Sequence, residues 1–253
     1  MKKILLTLLA LILVASFASC GALKTEKVIN DAIENTSKLT EFEAKMDMVI
    51  DMSMTGMTMN VPMNISMKVK DADKESPIVW ANMSTSVLGE AVEMESYMDK
   101  DYVYLASDGE GYKMSIDAAE DEYDYTEDLD EMLKKLPVDL IKDTELIKEN
   151  GAFKISVNVP DEAFKEIFDD LIDSMSEASL GEFIGDFDIS DCVVTVTVKD
   201  DYVTNYDISY KMSMTTNGIE VNSSVTAKIE YVNPGQSVTI TPPDGYQNFE
   251  LAY

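Results

Sequence analysis

Two long stretches of the chain alternate between apolar and polar residues. The first runs from 46 to 69 and is interrupted at Gly56, and the second runs from 202 to 231 and is interrupted at Gly218. A period of two predicts strands with one buried and one solvated face, and each interruption predicts a hairpin turn. Shorter segments of the same kind predict further strands at 78–87, 91–98, 101–106, 112–115, 152–159 and 192–198.

Helical periodicity occurs in three segments. Residues 24–38 and 161–177 each place apolar side chains at helical spacing along one stripe. A third helix is predicted to begin at Thr126, where acidic residues suit a helix N-terminus, and to end at Pro137. The surrounding segment 117–131 contains nine acidic residues in fifteen. Because it lacks the spacing of an EF-hand loop, a solvated helix start is favoured over a calcium site.

Together these elements predict an α+β fold, with a large curved antiparallel β-sheet (an unclosed half-barrel) wrapped around a few helices. A strand of thirteen residues extends about 43 Å, whereas the predicted helices extend only about 15–25 Å each. So few short helices cannot cover a flat sheet of that size. The sheet is therefore expected to curl around the helices and to leave an apolar hollow, which is the main physical argument for a bound ligand.

The first twenty residues have the features of an export signal. Lys2 and Lys3 precede an apolar run over residues 4–14, in which Thr7 is the one polar residue, and small residues then lead to Cys20. This pattern predicts a lipoprotein signal peptide at residues 1–19, because the run is too short for a membrane span. A cysteine directly after the small residues is the acceptor pattern of a bacterial lipoprotein. The alternative is an ordinary signal peptide in which the cysteine is incidental.

Lipidation would determine where the protein acts. We expect Cys20 to carry a diacylglycerol, and two or more acyl chains anchor a protein stably to a membrane. The protein is then extracytoplasmic and held on the bacterial cell membrane by lipid. Residues 20–23 are predicted to form the lipidated cysteine and a short tether, and residues 24–253 a single domain whose middle segment, about 117–185, is helical.

Composition excludes several classes of function. The chain has 48 acidic residues, 20 lysines, no arginine and no histidine, for a net charge of −28. It therefore lacks the residues for a Ser-His-Asp triad, a His-ligated zinc site or a bidentate arginine clamp. Strong acidity argues against nucleic acid and favours solubility, with a cationic partner as the alternative. No pair of carboxylates is singled out, so neither an enzyme nor a cofactor is predicted.

The second cysteine begins one of the alternating segments. Cys192 shares a strand face with Val194, Val196 and Val198. Once Cys20 is lipidated, no intrachain disulfide can form. Cys192 is therefore predicted to be a buried and inert core residue.

Methionine occupies many of the apolar strand positions. Three interpretations stay open: an adaptable wall for acyl chains, ordinary core packing against the helices, and a soft-metal site, since thioethers suit Cu(I). No residue is assigned to a metal. The candidate ligand-lining residues are Met46, Met48, Met52, Met54, Met57, Met59, Met63, Met67, Met212 and Met214.

Three short strings and the order of elements resemble a known group of proteins. The strings are Tyr102-Val103-Tyr104, Gly111-Tyr112-Lys113 and residues 136–142. They resemble small acidic lipoproteins of unknown function, and the layout resembles the LolA/LppX/LprG-like lipoprotein superfamily over nearly the whole mature chain. The resemblance implies an unclosed half-barrel with helices over its concave face. Several members carry lipids or lipoproteins there, and no catalytic residue is implied.

Two functional hypotheses follow. The first is a membrane-tethered protein that binds or carries a lipid or another apolar ligand in a methionine-rich hollow. The second is a cell-surface protein-interaction module with a closed core, an acidic face and no small-molecule ligand. An extracytoplasmic metal-handling protein is a third and weaker hypothesis. The sequence identifies no protein partner.

Overall fold

The computed structural model describes residues 23–87, 89–107, 109–116, 146–165, 187–216 and 219–252. The predicted signal peptide, Cys20, the acidic segment and the helix predicted to begin at Thr126 lie outside these residues. The helix predicted at 161–177 is described only over residues 161–165, which are helical.

The described elements are one long helix and twelve strands in a single sheet. Helix α1 spans Leu23–Ser37, within one residue of its predicted bounds at both ends. The strands are β1 Phe42–Met54, β2 Met57–Lys70, β3 Ile78–Val87, β4 Glu90–Met98, β5 Tyr102–Ser107, β6 Glu110–Ser115, β7 Ile147–Glu149, β8 Ala152–Val159, β9 Phe187–Lys199, β10 Tyr202–Thr216, β11 Ile219–Val232 and β12 Glu250–Leu251.

The sheet consists of two meanders joined along one seam. Its strand order is β12-β6-β5-β4-β3-β2-β1-β11-β10-β9-β8-β7. Strands β1 to β6 form the first meander, β7 to β11 form the second, and β1 pairs with β11 at the seam. Every pair is antiparallel except the short parallel contact between β12 and β6. Because β12 and β7 lie at opposite ends of the order, the sheet is open, as the sequence predicted.

The chain end covers one edge and part of the outer surface. Strand β12 has only two residues and β7 only three, and such short edge strands offer little backbone for aggregation. Just before β12, the Tyr246 ring lies 5.4 Å from that of Tyr97 and 5.0 Å from that of Tyr104. The Phe249 ring lies 6.3 Å from that of Tyr104. The C-terminal segment is thus held on β4 and β5 by aromatic contacts.

Helix α1 packs over the base of the sheet, at the end where β1 begins. Ile29 and Ala32 are fully buried, and the helix contacts β10 and β9. Near its C-terminal end, Thr36 Oγ1 accepts a hydrogen bond from the Val203 backbone N–H at 2.9 Å. The same hydroxyl donates to the Ala32 carbonyl oxygen at 2.7 Å. This buried side chain therefore links the helix to the first residues of β10.

The turn between β1 and β2 sets the register of the longest hairpin. Thr55 and Gly56 both have positive φ, 45° and 83°, as the two-residue turn favoured by twisted hairpins requires. Gly56 adopts this conformation without steric cost, whereas a β-branched threonine does so rarely. The turn places Met54 directly opposite Met57.

Candidate ligand-binding face

One face of the sheet, here called the inner face, carries the apolar alternating positions. It is defined by the even-numbered residues of β1, from Phe42 to Met54, and by the residues directly opposite them on successive strands. Directly opposite residues point to the same side of a sheet. The register therefore places every methionine of the described strands on this face, namely Met46, Met48, Met52, Met54, Met57, Met59, Met63, Met67, Met83, Met94, Met98, Met114, Met212 and Met214.

All ten methionines proposed from the sequence lie on the inner face, and four more join them. Met83, Met94, Met98 and Met114 belong to shorter strands in which apolar residues also occupy outward positions. Their alternation was therefore too weak to mark a face from sequence alone. Met83 lies directly opposite both Ile65 and Met94, which extends the face across β3 and β4.

The methionines form rows that cross four strands near the β1–β2 turn. Ser223 separates Met52 from Met212 in one such row, and its hydroxyl donates to the Met212 carbonyl oxygen at 3.3 Å. From β2 to β10 the three rows nearest the turn are Met57, Met54, Val221 and Met214; Met59, Met52, Ser223 and Met212; and Val61, Ile50, Val225 and Tyr210.

Burial decreases along the inner face from the base to the turn. At the base, Val69 is fully buried and Phe42 is 3% exposed. At the turn, Met54 is 38% and Met57 is 64% exposed. The face remains apolar from the base to the turn. The half nearer the turn is therefore an apolar surface that the described chain leaves partly in contact with solvent.

Two phenol groups are the polar exceptions at the buried end of the face. Tyr206 is 1% and Tyr231 is 3% exposed, and the hydroxyl oxygen of each is buried without a hydrogen-bond partner. Burial raises the pKa of both hydroxyls, so both stay neutral. The covered end is therefore suited to packing and to neutral groups.

Cys192 lies on the inner face, as its position in the alternating run predicted. Burial raises the pKa of its thiol to about 12, with the carboxylate of Asp161 as a smaller cause. The neighbouring Tyr210 hydroxyl has a pKa raised to about 12, mainly by burial. Both groups are neutral near pH 7, and neither provides a nucleophile.

The thiol of Cys192 is expected to be nearly inert in the folded protein. With the pKa raised from an ordinary value near 8.5 to about 12, the thiolate fraction at pH 8 falls by about a thousandfold. In a chain that begins at Gly21, Cys192 is the single thiol, so its reaction with a disulfide reagent can be followed directly. The native protein should react orders of magnitude more slowly than the same chain in denaturant. Equal rates would show that the thiol is accessible.

A polar depression of about 450 Å³ lies across β2, β1, β11, β10 and β9. Most of its lining residues occupy outward positions, and Lys211 is paired there with Asp191 at 2.8 Å. Inner-face residues Met52, Met59 and Met212 also contribute to it. This depression differs from the predicted apolar hollow, because its lining is largely Ser, Thr, Asn and Asp.

Two structural features are absent from the described part of the chain. Among those residues, no group of three or more His, Cys, Asp or Glu side chains is arranged to hold a metal ion. Within the same ranges, no helix has the length and apolar character needed to cross a membrane.

Comparison with known proteins identifies a family and two similar layouts. The model of DUF6612, a family of unknown function, matches residues 24–246, so the chain belongs to that family. LprF from Mycobacterium bovis is 13% identical with a TM-score of 0.42, covering 87% of this chain and 96% of that chain. A DUF1329 family protein from Desulfovibrio piger is 9% identical with a TM-score of 0.25, covering 85% and 94%.

No curated protein matches the chain. The two structural matches cover most of this chain, but both have TM-scores below 0.5. At such TM-scores they add nothing about ligand or mechanism, which have to be argued from the residues themselves.

Proposed function

We propose that this member of the DUF6612 family is a membrane-anchored extracytoplasmic lipoprotein that binds a lipid or another apolar ligand on its inner face. The observation that supports this most is the burial gradient along that face. Apolar side chains continue past the part covered by α1, and Met54 and Met57 are 38% and 64% exposed. Soluble proteins seldom leave a continuous apolar surface uncovered unless something binds to it.

The chemistry of the uncovered rows suits an acyl chain. Burial of apolar surface contributes about 25 cal/mol per Å², and the rows offer this surface without a competing charge. Methionine side chains are flexible and polarizable, so they fit ligands of irregular shape. An elongated apolar ligand lying along β1 and β2 would contact Met48, Met52, Met59 and Met63.

The proposal also includes the location and the wider architecture. Residues 1–19 act as the signal peptide, and Cys20 carries the lipid that anchors the protein. Residues 24–253 form one domain in which the sheet wraps around further helices besides α1. A lipid anchor would hold the inner face close to the membrane, the source of its ligand. In this proposal the protein is not an enzyme.

The interaction-module hypothesis is less well supported. It requires a closed core, in which the inner-face methionines near the turn would be buried against other parts of the protein. The exposure of Met54 and Met57 argues against that arrangement in the described residues.

The proposal can be tested on a chain that begins at Gly21, which has no lipid of its own. We expect native mass spectrometry of this chain, purified from a bacterial host, to show a bound species of lipid mass. Changing Met48→Gln and Met63→Gln together should remove that species, because the two residues lie directly opposite each other on the inner face. Glutamine has nearly the length of methionine, so the fold should be retained.

The control pair lies next to the test pair on the opposite face. Asp47 and Asn64 are directly opposite each other and exposed, so Asp47→Gln with Asn64→Gln should leave the bound species unchanged. Thermal denaturation would verify that both double variants remain folded. If the parent chain carries no lipid and added phospholipid leaves its melting temperature unchanged, the proposal is wrong.

A further inference from the structure

Four methionines surround the β1–β2 turn in a compact group, here called the tip cluster: Met52, Met54, Met57 and Met59. They form two directly opposite pairs, Met54 with Met57 and Met52 with Met59. All four side chains project from the inner face. The turn between the pairs contains only Thr55 and Gly56, so the spacing of the four Cα atoms is fixed by the hairpin.

Strand geometry brings the four sulfur atoms within reach of one another. Directly opposite Cβ atoms are about 5 Å apart, and Cβ atoms two positions apart along a strand are separated by about 7 Å. Each Sδ lies two bonds beyond its Cβ on a chain with free rotation. The two pairs can therefore direct three or four thioether sulfurs towards a common point above the hairpin.

Core packing does not account for Met54 and Met57, the outer pair of the tip cluster. Met57 is 64% exposed, the highest value among the exposed large hydrophobic residues of the described chain, and Met54 is 38% exposed. The cross-strand pair Met83 and Met94, on the same face two strands further on, is only partly exposed. Met54 and Met57, next to the turn, are thus more exposed to an ion in solution than Met83 and Met94.

The available donors restrict the ion that such a site would take. Thioether sulfur is a soft, neutral ligand that selects Cu(I) over hard cations, and Ag(I) is its closest chemical analogue. The chain has no histidine, and the thiol of Cys192 is buried and protonated. A net charge of −28 also raises the local concentration of cations around the protein.

We propose that the tip cluster binds a soft monovalent cation, Cu(I) or Ag(I), through its thioether sulfurs. The proposal stands apart from lipid binding, because it depends on sulfur and lipid binding depends on apolar area. Leucine separates the two, since it keeps the apolar area and removes the sulfur. The site needs no redox step, because the ion binds in the oxidation state in which it arrives.

The test is a calorimetric titration of the full-length chain, as the expressing bacterium matures it, with silver nitrate in chloride-free buffer and detergent. We expect one Ag(I) to bind per chain. Changing Met54→Leu and Met57→Leu together should weaken Ag(I) binding by at least about tenfold. Mutating a residue that only hydrogen-bonds to a metal ligand already lowers metal affinity by about that factor. Changing Met83→Leu and Met94→Leu, the matched opposite pair, should leave the affinity unchanged.

Two results would overturn the proposal. The first is an absence of Ag(I) binding by the parent chain. The second is equal weakening by the two leucine pairs, which would mean that thioethers anywhere on the face bind silver. The bound lipid of the Met54→Leu and Met57→Leu variant should also be measured. If this variant binds Ag(I) more weakly but keeps its lipid, the metal site and the lipid-binding face are separate.

Discussion

Replacing Thr36 with valine is expected to lower the free energy of unfolding by about 2 kcal/mol. Thr36 is 3% exposed, and its hydroxyl accepts the backbone N–H of Val203 at 2.9 Å. Valine has almost the same shape, so packing is retained while a buried donor loses its partner. The cost is therefore the desolvation of that N–H group, and denaturant unfolding followed by circular dichroism would measure it.

The neighbouring residue provides a control for Thr36. Ser37 also uses its hydroxyl within α1, donating to the Glu34 carbonyl oxygen at 2.9 Å, but it is exposed to solvent. Ser37→Ala should change the unfolding free energy by less than about 0.5 kcal/mol. If Thr36→Val has an equally small effect, the helix is not linked to β10 through this hydrogen bond.

Replacing Gly111 with alanine is expected to release the C-terminal segment from the sheet. A β-carbon at this position would lie 2.5–2.7 Å from three atoms of the Phe249 ring, closer than real β-carbons approach. The ring has to move, and overpacking of this kind costs about 1–3 kcal/mol. Because Phe249 directly precedes β12, the parallel contact of Glu250 with Tyr112 should be lost. Limited proteolysis of the C-terminal segment would detect the release.

A double variant isolates the cause of that effect. In a Phe249→Ala background the obstructing ring is absent, so adding Gly111→Ala should cost much less than it does in the parent chain. The difference between the two costs is the coupling energy of the pair, which for residues in contact reaches about 0.5–3 kcal/mol. Equal costs in both backgrounds would show that Gly111 is required for some other reason.

Period-two alternation predicted most strands because one face of the sheet is exposed to solvent and the other is apolar. The strand predicted at 152–159 matches β8 in both bounds. Strands β1 and β9 begin earlier than predicted, at Phe42 and Phe187. In β1 the alternation itself extends back through Ala44 to Phe42, so the predicted start was too late. A β-bulge between β9 and β10, where Asp191 has positive φ, shifts the alternation there.

The alternating pattern could not predict which strands pair with each other. Alternation identifies a face but not a neighbour, so the pairing of β1 with β11 had no local signal. The contact of Phe249 with Gly111 was missed for the same reason, because it joins an outward glycine to a distant ring. Burial was equally hidden: Phe42 and Met54 occupy equivalent positions of one strand, yet they are 3% and 38% exposed.

The seam between the two meanders has a consequence for how the chain folds. Within each meander a strand pairs with its neighbour in sequence, so those contacts close short loops and form readily. Pairing of Met54 with Val221 at the seam joins residues that are far apart in the sequence, so it closes a much longer loop and is expected to form later. Until then β1 and β11 each have a long unpaired edge. The partner strand for that edge can come from a second molecule as well as from the same chain. Slow closure at high concentration therefore favours strand-exchanged dimers.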